Sequence, residues 1–107
     1  MGMERMSGAV FIYRWRVAAE HEEAFLERWR KATQDLHGRG GLGSLIGKNA
    51  EGELVAIALW PNAKARDAAF ATGGNSEPWP PSERLPAMRI DPLSDMWDLA
   101  AWRELTP

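Results

Sequence analysis

The side chains best suited to chemistry in this sequence are Tyr13, His37, Arg89 and a set of tryptophans. A phenol can donate or accept a proton, and an imidazole is the common base near neutral pH. Arginines stabilise negative charge that develops on oxygen, and Arg14, Arg16 and Arg89 are the candidates. Six tryptophans stand in the 107-residue chain: Trp15, Trp29, Trp60, Trp79, Trp97 and Trp102. Four of these, Trp15, Trp29, Trp60 and Trp79, could line a flat aromatic site. There Tyr13 and His37 would move a proton, and an arginine such as Arg89 would hold an oxyanion. Each residue also has a more ordinary role. Trp29 and Trp60 suit a core or an interface, Tyr13 suits a core ring with a tethered hydroxyl, and His37 suits a helix C-terminus.

Other chemistries find little support. The formal net charge is -2 and no Lys/Arg run stands out, so nucleic acid is not an expected partner. There is no cysteine, which removes disulfides, thiolate metal sites and a Cys nucleophile. His21, Glu22 and Glu23 are adjacent and cannot converge from one helix face. No second histidine sits at ligand spacing, so no metal is expected. The glycines of residues 38–43 follow a helix and precede a strand, the reverse of a phosphate-binding loop. No apolar run reaches the roughly 20 residues that span a bilayer, and residues 1–8 lack an apolar signal core. A soluble, cytoplasmic protein without membrane contact is the expectation.

These residues must be held by a small set of elements. The length suits one domain, residues 1–107. Residues 9–17 (AVFIYRWRV) are rich in β-branched and aromatic side chains and read as a strand. Phe11, Tyr13, Trp15 and Val17 share one face, Val10, Ile12, Arg14 and Arg16 the other. Residues 19–37 read as a helix, with Phe25, Trp29, Ala32 and Leu36 inward and glycines at its end. Residues 42–49 form a weaker strand, and 49–52 a turn. Residues 54–60 (LVAIALW) form a strand without a polar residue. Asn62 caps a second helix that ends at Ala71, before Thr72, Gly73 and Gly74. Residues 75–92 are Pro-rich and read as an irregular excursion with a short helical turn near 82–85, either a lid or an interface element. The closing strand is expected at residues 93–100. The other reading is a helix over 94–105, with the strand shrunk to 87–91.

The order strand, helix, strand, strand, helix, strand, with right-handed crossovers, places both helices on one face of a four-stranded antiparallel sheet. This is the ferredoxin-like split βαβ arrangement of an α+β domain. It leaves the second sheet face bare, yet the third strand is apolar on both sides. Burying Val55, Ile57 and Leu59 would contribute roughly 1.5–3 kcal/mol each. The simplest cover is the same face of a second copy, giving a homodimer through the open sheet face.

At this point FIYRWRV (11–17), HEEAFLERWRKA (21–32) and ELVAIALWPNAKARDAAF (53–70) together resemble antibiotic-biosynthesis-monooxygenase domains. Trp60 matches the Trp that ends the family's third strand, and residues 62–71 match the short helix that follows it. The resemblance covers residues 10–71. It implies a dimeric α+β barrel. It also implies, in some members, cofactor-independent oxygenation of aromatic polyketides. Haem-degrading relatives carry an Asn on the first strand, a Trp on the second helix and a later His. Here the first strand has no Asn, the helix position falls near Ala69 or Phe70, and the His position falls near Trp79. No cofactor is expected. Two functions remain: a cofactor-free monooxygenase acting on a small aromatic or polyketide-like substrate, or a non-catalytic dimer that binds a small hydrophobic molecule or serves a stress-related role.

Overall fold

The computed structural model describes residues 8–72 and 77–107. Gly73 and Gly74, expected to end the second helix, and residues 1–7 of the N-terminal segment lie outside the described residues. The elements are β1 Ala9–Arg16, α1 Ala19–His37, β2 Ser44–Lys48, β3 Leu54–Trp60, α2 Ala63–Ala71, β4 Glu83–Arg84, β5 Met88–Ile90 and α3 Leu99–Leu105. The strands form one antiparallel sheet in the order β2-β3-β1-β4, with β5 on the same edge of β1 as β4. This is the ferredoxin-like α+β fold, with β3 inserted between β1 and β2.

The β1–β3 pair is the spine of the sheet, in register from Ala9↔Trp60 to Trp15↔Leu54. On its helix-facing side Ala9, Phe11, Tyr13, Leu54, Ala56 and Trp60 are buried. Ala69 of α2 joins Ala9, Phe11, Tyr13 and Trp60 in the core. The ring of Phe25 from α1, fully enclosed, meets Trp15 edge-on at 5.1 Å. No side chain caps the N-terminus of α1, where Ala18 is the flanking residue, but Glu22 reaches Lys48 of β2 at 2.9 Å. The N-terminus of α2 is closed as its sequence demands: Asn62 Oδ1 accepts the Ala65 N–H at 2.7 Å.

Two glycines have definite work. Gly52 closes the β2–β3 turn at φ 81°, a left-handed conformation that β-carbons disfavour. Gly41 lies so close to its neighbours that a β-carbon would meet the Leu36 carbonyl oxygen at 3.1 Å and the Trp60 ring at 3.3 Å.

The last part of the chain corrects the expectation. Residues 93–98 form no strand, and Leu99–Leu105 is a helix, capped by Asp98 Oδ1 accepting the Ala101 N–H at 3.1 Å. The closing strand lies upstream, and the helical turn expected near residues 82–85 is extended chain instead. Trp15 faces Arg84, and the Leu85 N–H donates to the Arg14 carbonyl, whereas Ile12 faces Met88. Three steps along the edge, from 85 to 88, therefore match two along β1, from 14 to 12. One extra residue bulges at Pro86–Ala87. Proline, which has no N–H to give, is tolerated at such an edge bulge.

The sheet face away from α1 and α2 carries Val10, Ile12, Leu45, Val55, Ile57, Leu59, Met88 and Ile90, by register. Leu45, Leu59, Met88 and Ile90 are exposed at its margins. One end of this face is charged. Arg14 meets Glu53 at 3.1 Å, Arg16 meets it at 3.5 Å, and Arg16 also meets Glu83 at 3.1 Å. Asn49 Nδ2 donates to Glu53 at 3.0 Å. The Asn49 bond, with Arg14 and Arg16, outweighs desolvation and holds the Glu53 carboxyl below its ordinary value of 4.5. A lowered folded-state value means the carboxylate stabilises the fold fully above that ordinary value. The contribution is lost as pH falls through the lowered one. Glu53→Gln should therefore lower the melting temperature at pH 7, and the gap to the parent should narrow below pH 4.5. Melts followed by circular dichroism across that range would show it. A gap independent of pH would contradict this account.

Candidate functional site

A cavity of about 360 Å³ lies between the sheet and the helices. Its volume follows from side-chain size on β3. The helix-facing residues Ala56 and Ala58 are small, and the rings around them cannot fill the space they leave. Tyr13, Trp15 and Trp60 rise from the sheet. Phe25, Trp29, Ala32, Thr33 and Leu36 descend from α1 at the helical spacing read from the sequence. Gly41, Gly43 and Ser44 close one side, and Phe70 of α2 meets Trp60 edge-on at 6.2 Å.

The remaining wall is the Pro-rich segment, which contributes Trp79, Ser82 and Arg84. It is tied down by α1. Arg28, buried on that helix, donates through Nε to the Glu77 carbonyl at 2.9 Å, and its guanidinium lies 4.5 Å from the Trp79 ring centre. Lys31 reaches the Glu77 carboxylate at 3.4 Å. Trp79 in turn meets Phe25 at 5.1 Å, so the rings of Tyr13, Trp15, Phe25 and Trp79 run as one connected series. Such ring pairs contribute about 0.5–1.5 kcal/mol beyond area burial.

Tyr13 is the only lining side chain with an ionisable hydroxyl, and Arg84 is the only charged one, among the described residues. The Tyr13 hydroxyl accepts a hydrogen bond from Arg66 Nε at 3.0 Å, which leaves its own hydrogen free to be donated elsewhere. The Arg66 guanidinium lies over Phe70 and Phe11, at 4.3 and 4.6 Å from the ring centres. Arg84 lies 5.2 Å from the Tyr13 ring. Two guanidinium groups thus flank one phenol, and no carboxylate stands on the cavity wall among the described residues.

Of the residues singled out in the sequence, Tyr13, Trp15, Trp29, Trp60 and Trp79 come together at the cavity. His37 is exposed at the C-terminus of α1 and does not line it. Arg89 lies on β5 and pairs with Asp91 at 2.8 Å, also away from the lining. Arg14 and Arg16 point to the opposite sheet face with Glu53. Arg66, Arg84 and Arg28 were not foreseen. Arg66 carried a signal, since it stands one helical turn before Phe70 and could turn inward with it. Arg84 carried none, because its place depends on the pairing with Trp15.

Comparison with known proteins bears on the fold. No family model matches the chain, and no curated protein matches it. A crystal structure of a protein of unknown function from Nitrosomonas europaea matches with a TM-score of 0.57 and 13% identity, covering 86% of this chain and 95% of that one. A provisionally assigned monooxygenase from Shewanella loihica PV-4 matches with a TM-score of 0.52 and 17% identity, covering 81% of this chain and 97% of that one. What is shared is the fold. At such identities the side chains of the cavity must be argued from this chain alone.

Four tryptophans line the cavity, and Trp97 and Trp102 do not. A flat aromatic probe such as 1-naphthol should therefore quench the intrinsic fluorescence. Trp79→Ala should weaken its binding about five- to tenfold, the loss of one ring contact. Trp102→Phe should leave the titration unchanged. Equal effects of the two substitutions would argue against binding in the cavity.

Proposed function

We propose that the cavity takes a small, flat aromatic molecule and that the chain is a cofactor-independent monooxygenase-like protein of the antibiotic-biosynthesis-monooxygenase kind. The observation that carries the reading is the convergence of Tyr13 with an aromatic wall and two guanidinium groups. A polyketide-like phenol or anthrone that loses a proton becomes an electron-rich anion able to reduce oxygen directly. The protein's part is then to exclude water, hold the flat ring system and stabilise the anion. Trp15, Trp29, Trp60 and Trp79 supply the surface. The Tyr13 hydroxyl, with its hydrogen free, can bond the substrate oxygen, and Arg84 places positive charge on the same wall. The shared fold with a provisionally assigned monooxygenase supports the oxygenase class and says nothing of the substrate.

A second reading is favoured by one feature: among the described residues neither a histidine nor a carboxylate lines the cavity to act as a base. On that reading the chain binds a hydrophobic aromatic molecule without turning it over. In both readings two copies associate through the open sheet face, where Val10, Ile12, Val55 and Ile57 await cover.

Oxygen uptake with anthrone and hydroquinone substrates separates the two. The oxygenase reading expects uptake that falls about a hundredfold or more in kcat for Tyr13→Phe, the range for losing a positioned proton donor. It also expects a raised KM for Arg84→Ala. Fluorescence quenching by the same compounds without oxygen uptake would leave the binding reading in place.

A further inference from the structure

The chain after β5 leaves the domain. Every large apolar side chain of residues 93–105 is open to solvent: Leu93 is 100% exposed, Met96 90%, Trp97 57%, Leu99 46%, Trp102 45% and Leu105 83%. The hydrogen bonds of this stretch are local. Asp95 accepts the Trp97 N–H at 3.0 Å, Asp98 accepts the Ala101 N–H at 3.1 Å, and the Thr106 hydroxyl donates to the Trp102 carbonyl at 2.9 Å. The radius of gyration is 15.0 Å and the long axis 53 Å. A compact domain of this length has a radius near about 13 Å. The excess fits an arm held away from the body.

We propose that residues 93–105 are an exchanged arm, and that each arm lies along the exposed margin of the open sheet face of a second copy of this chain, beside the facing sheets. The inference rests on the dimer proposed above and not on the oxygenase chemistry. Three observations support it. First, the arm starts where the open face ends: Ile90 of β5 belongs to that face, and the next residue, Asp91, pairs with Arg89 of β5 at 2.8 Å. Second, the arm's six large side chains remain 45–100% exposed on their own chain, and the face has exposed margins at Leu45, Leu59, Met88 and Ile90. One molecule therefore carries both halves of a contact that it does not make with itself, and a two-fold pair makes both contacts at once. Third, the area suffices. A fully buried tryptophan covers about 150–250 Å², and Trp97 and Trp102 still expose 57% and 45% of their surface. Two arms with their landing surfaces, added to the facing sheets, reach the roughly 1,200–2,000 Å² of a stable interface. A monomer that left the arm bare would exceed the apolar patch of about 300–600 Å² usual for single chains.

The absence of cysteine makes the test clean. Full-length Leu45→Cys and full-length Trp97→Cys are mixed at micromolar concentration and oxidised, and the products are weighed by mass spectrometry. The expected product is a mixed disulfide whose mass is the sum of the two variants less two hydrogens. The double variant in one chain should likewise link between chains. Leu99→Asp should weaken dimerisation at least tenfold in sedimentation equilibrium while the far-ultraviolet circular dichroism stays the same. A disulfide formed within one chain of a persisting dimer would return the arm to its own domain, overturning the exchange and leaving the sheet-to-sheet dimer intact. A dimer that forms no mixed disulfide and tolerates Leu99→Asp would also overturn the exchange alone. Sedimentation of the unaltered protein as a single 12.0 kDa species would overturn the arm and the dimer together.

Discussion

Strand β3 constrains the whole molecule. It has no polar residue, and between Leu54 and Trp60 its faces differ in size: Ala56 and Ala58 face the helices, whereas Val55, Ile57 and Leu59 face away. The small residues leave the cavity, because rings anchored on β1 and α1 cannot collapse into the space above two methyl groups. The large residues create an apolar face that α1 and α2, both on the other side, cannot reach. A binding cavity on one side and a demand for further cover on the other thus follow from one alternation. Interiors otherwise close on such gaps, since atoms facing a void lose their dispersion partners. A cavity that survives here does so because it is propped by rigid rings.

The props are mutually supporting. Phe25 is wholly enclosed and stands between Trp15 below and Trp79 beside it. Trp79 would be a loose ring on a Pro-rich loop without Arg28, which holds the adjacent backbone at Glu77 and lies against the indole. The guanidinium does two jobs at once because it is planar: its edge donates to a carbonyl while its face meets a ring. The prolines of this segment help as well, since they lower the conformational freedom that the bound arrangement must give up. Arg66 acts likewise on the other side of the cavity, donating to Tyr13 from a position over Phe70.

Much of this is legible in the sequence. The bounds of α1 and β3, the Asn62 cap and the turn at residues 49–52 follow from local rules, because caps, turn residues and periodicity act over a few residues. Tyr13, Trp15, Trp29 and Trp60 could be grouped because strand and helix periods place side chains on faces, whereas Trp79, in the irregular Pro-rich segment, reaches them through Phe25 and Arg28. The edge strand was not legible. Glu83–Arg84 and Met88–Ile90 are short, polar and interrupted by Pro86, and they become strands only because β1 offers an unpaired edge. Residues 93–100 look more like a strand in composition, yet the β1 edge is already taken by residues 83–84 and 88–90. The Asp98 cap then favours a helix. His37 and Arg89 have the right chemistry and the wrong surroundings, since a helix end and an edge strand can turn either way.

By itself, then, the sequence determined the α+β order, the split βαβ topology, the aromatic character of the cleft and the imbalance of β3. Each depends on contacts close in sequence or on the periodic alternation of faces. Tertiary structure alone decided which cations meet the rings, where the fourth strand pairs, and that residues 93–105 stand clear of their own domain. Those outcomes depend on pairings between residues far apart in the chain, such as Arg28 with Glu77, Arg66 with Tyr13 and Arg84 with Trp15. No local preference encodes them, because a guanidinium on a flexible stem finds its partner only after the backbone has brought that partner within reach.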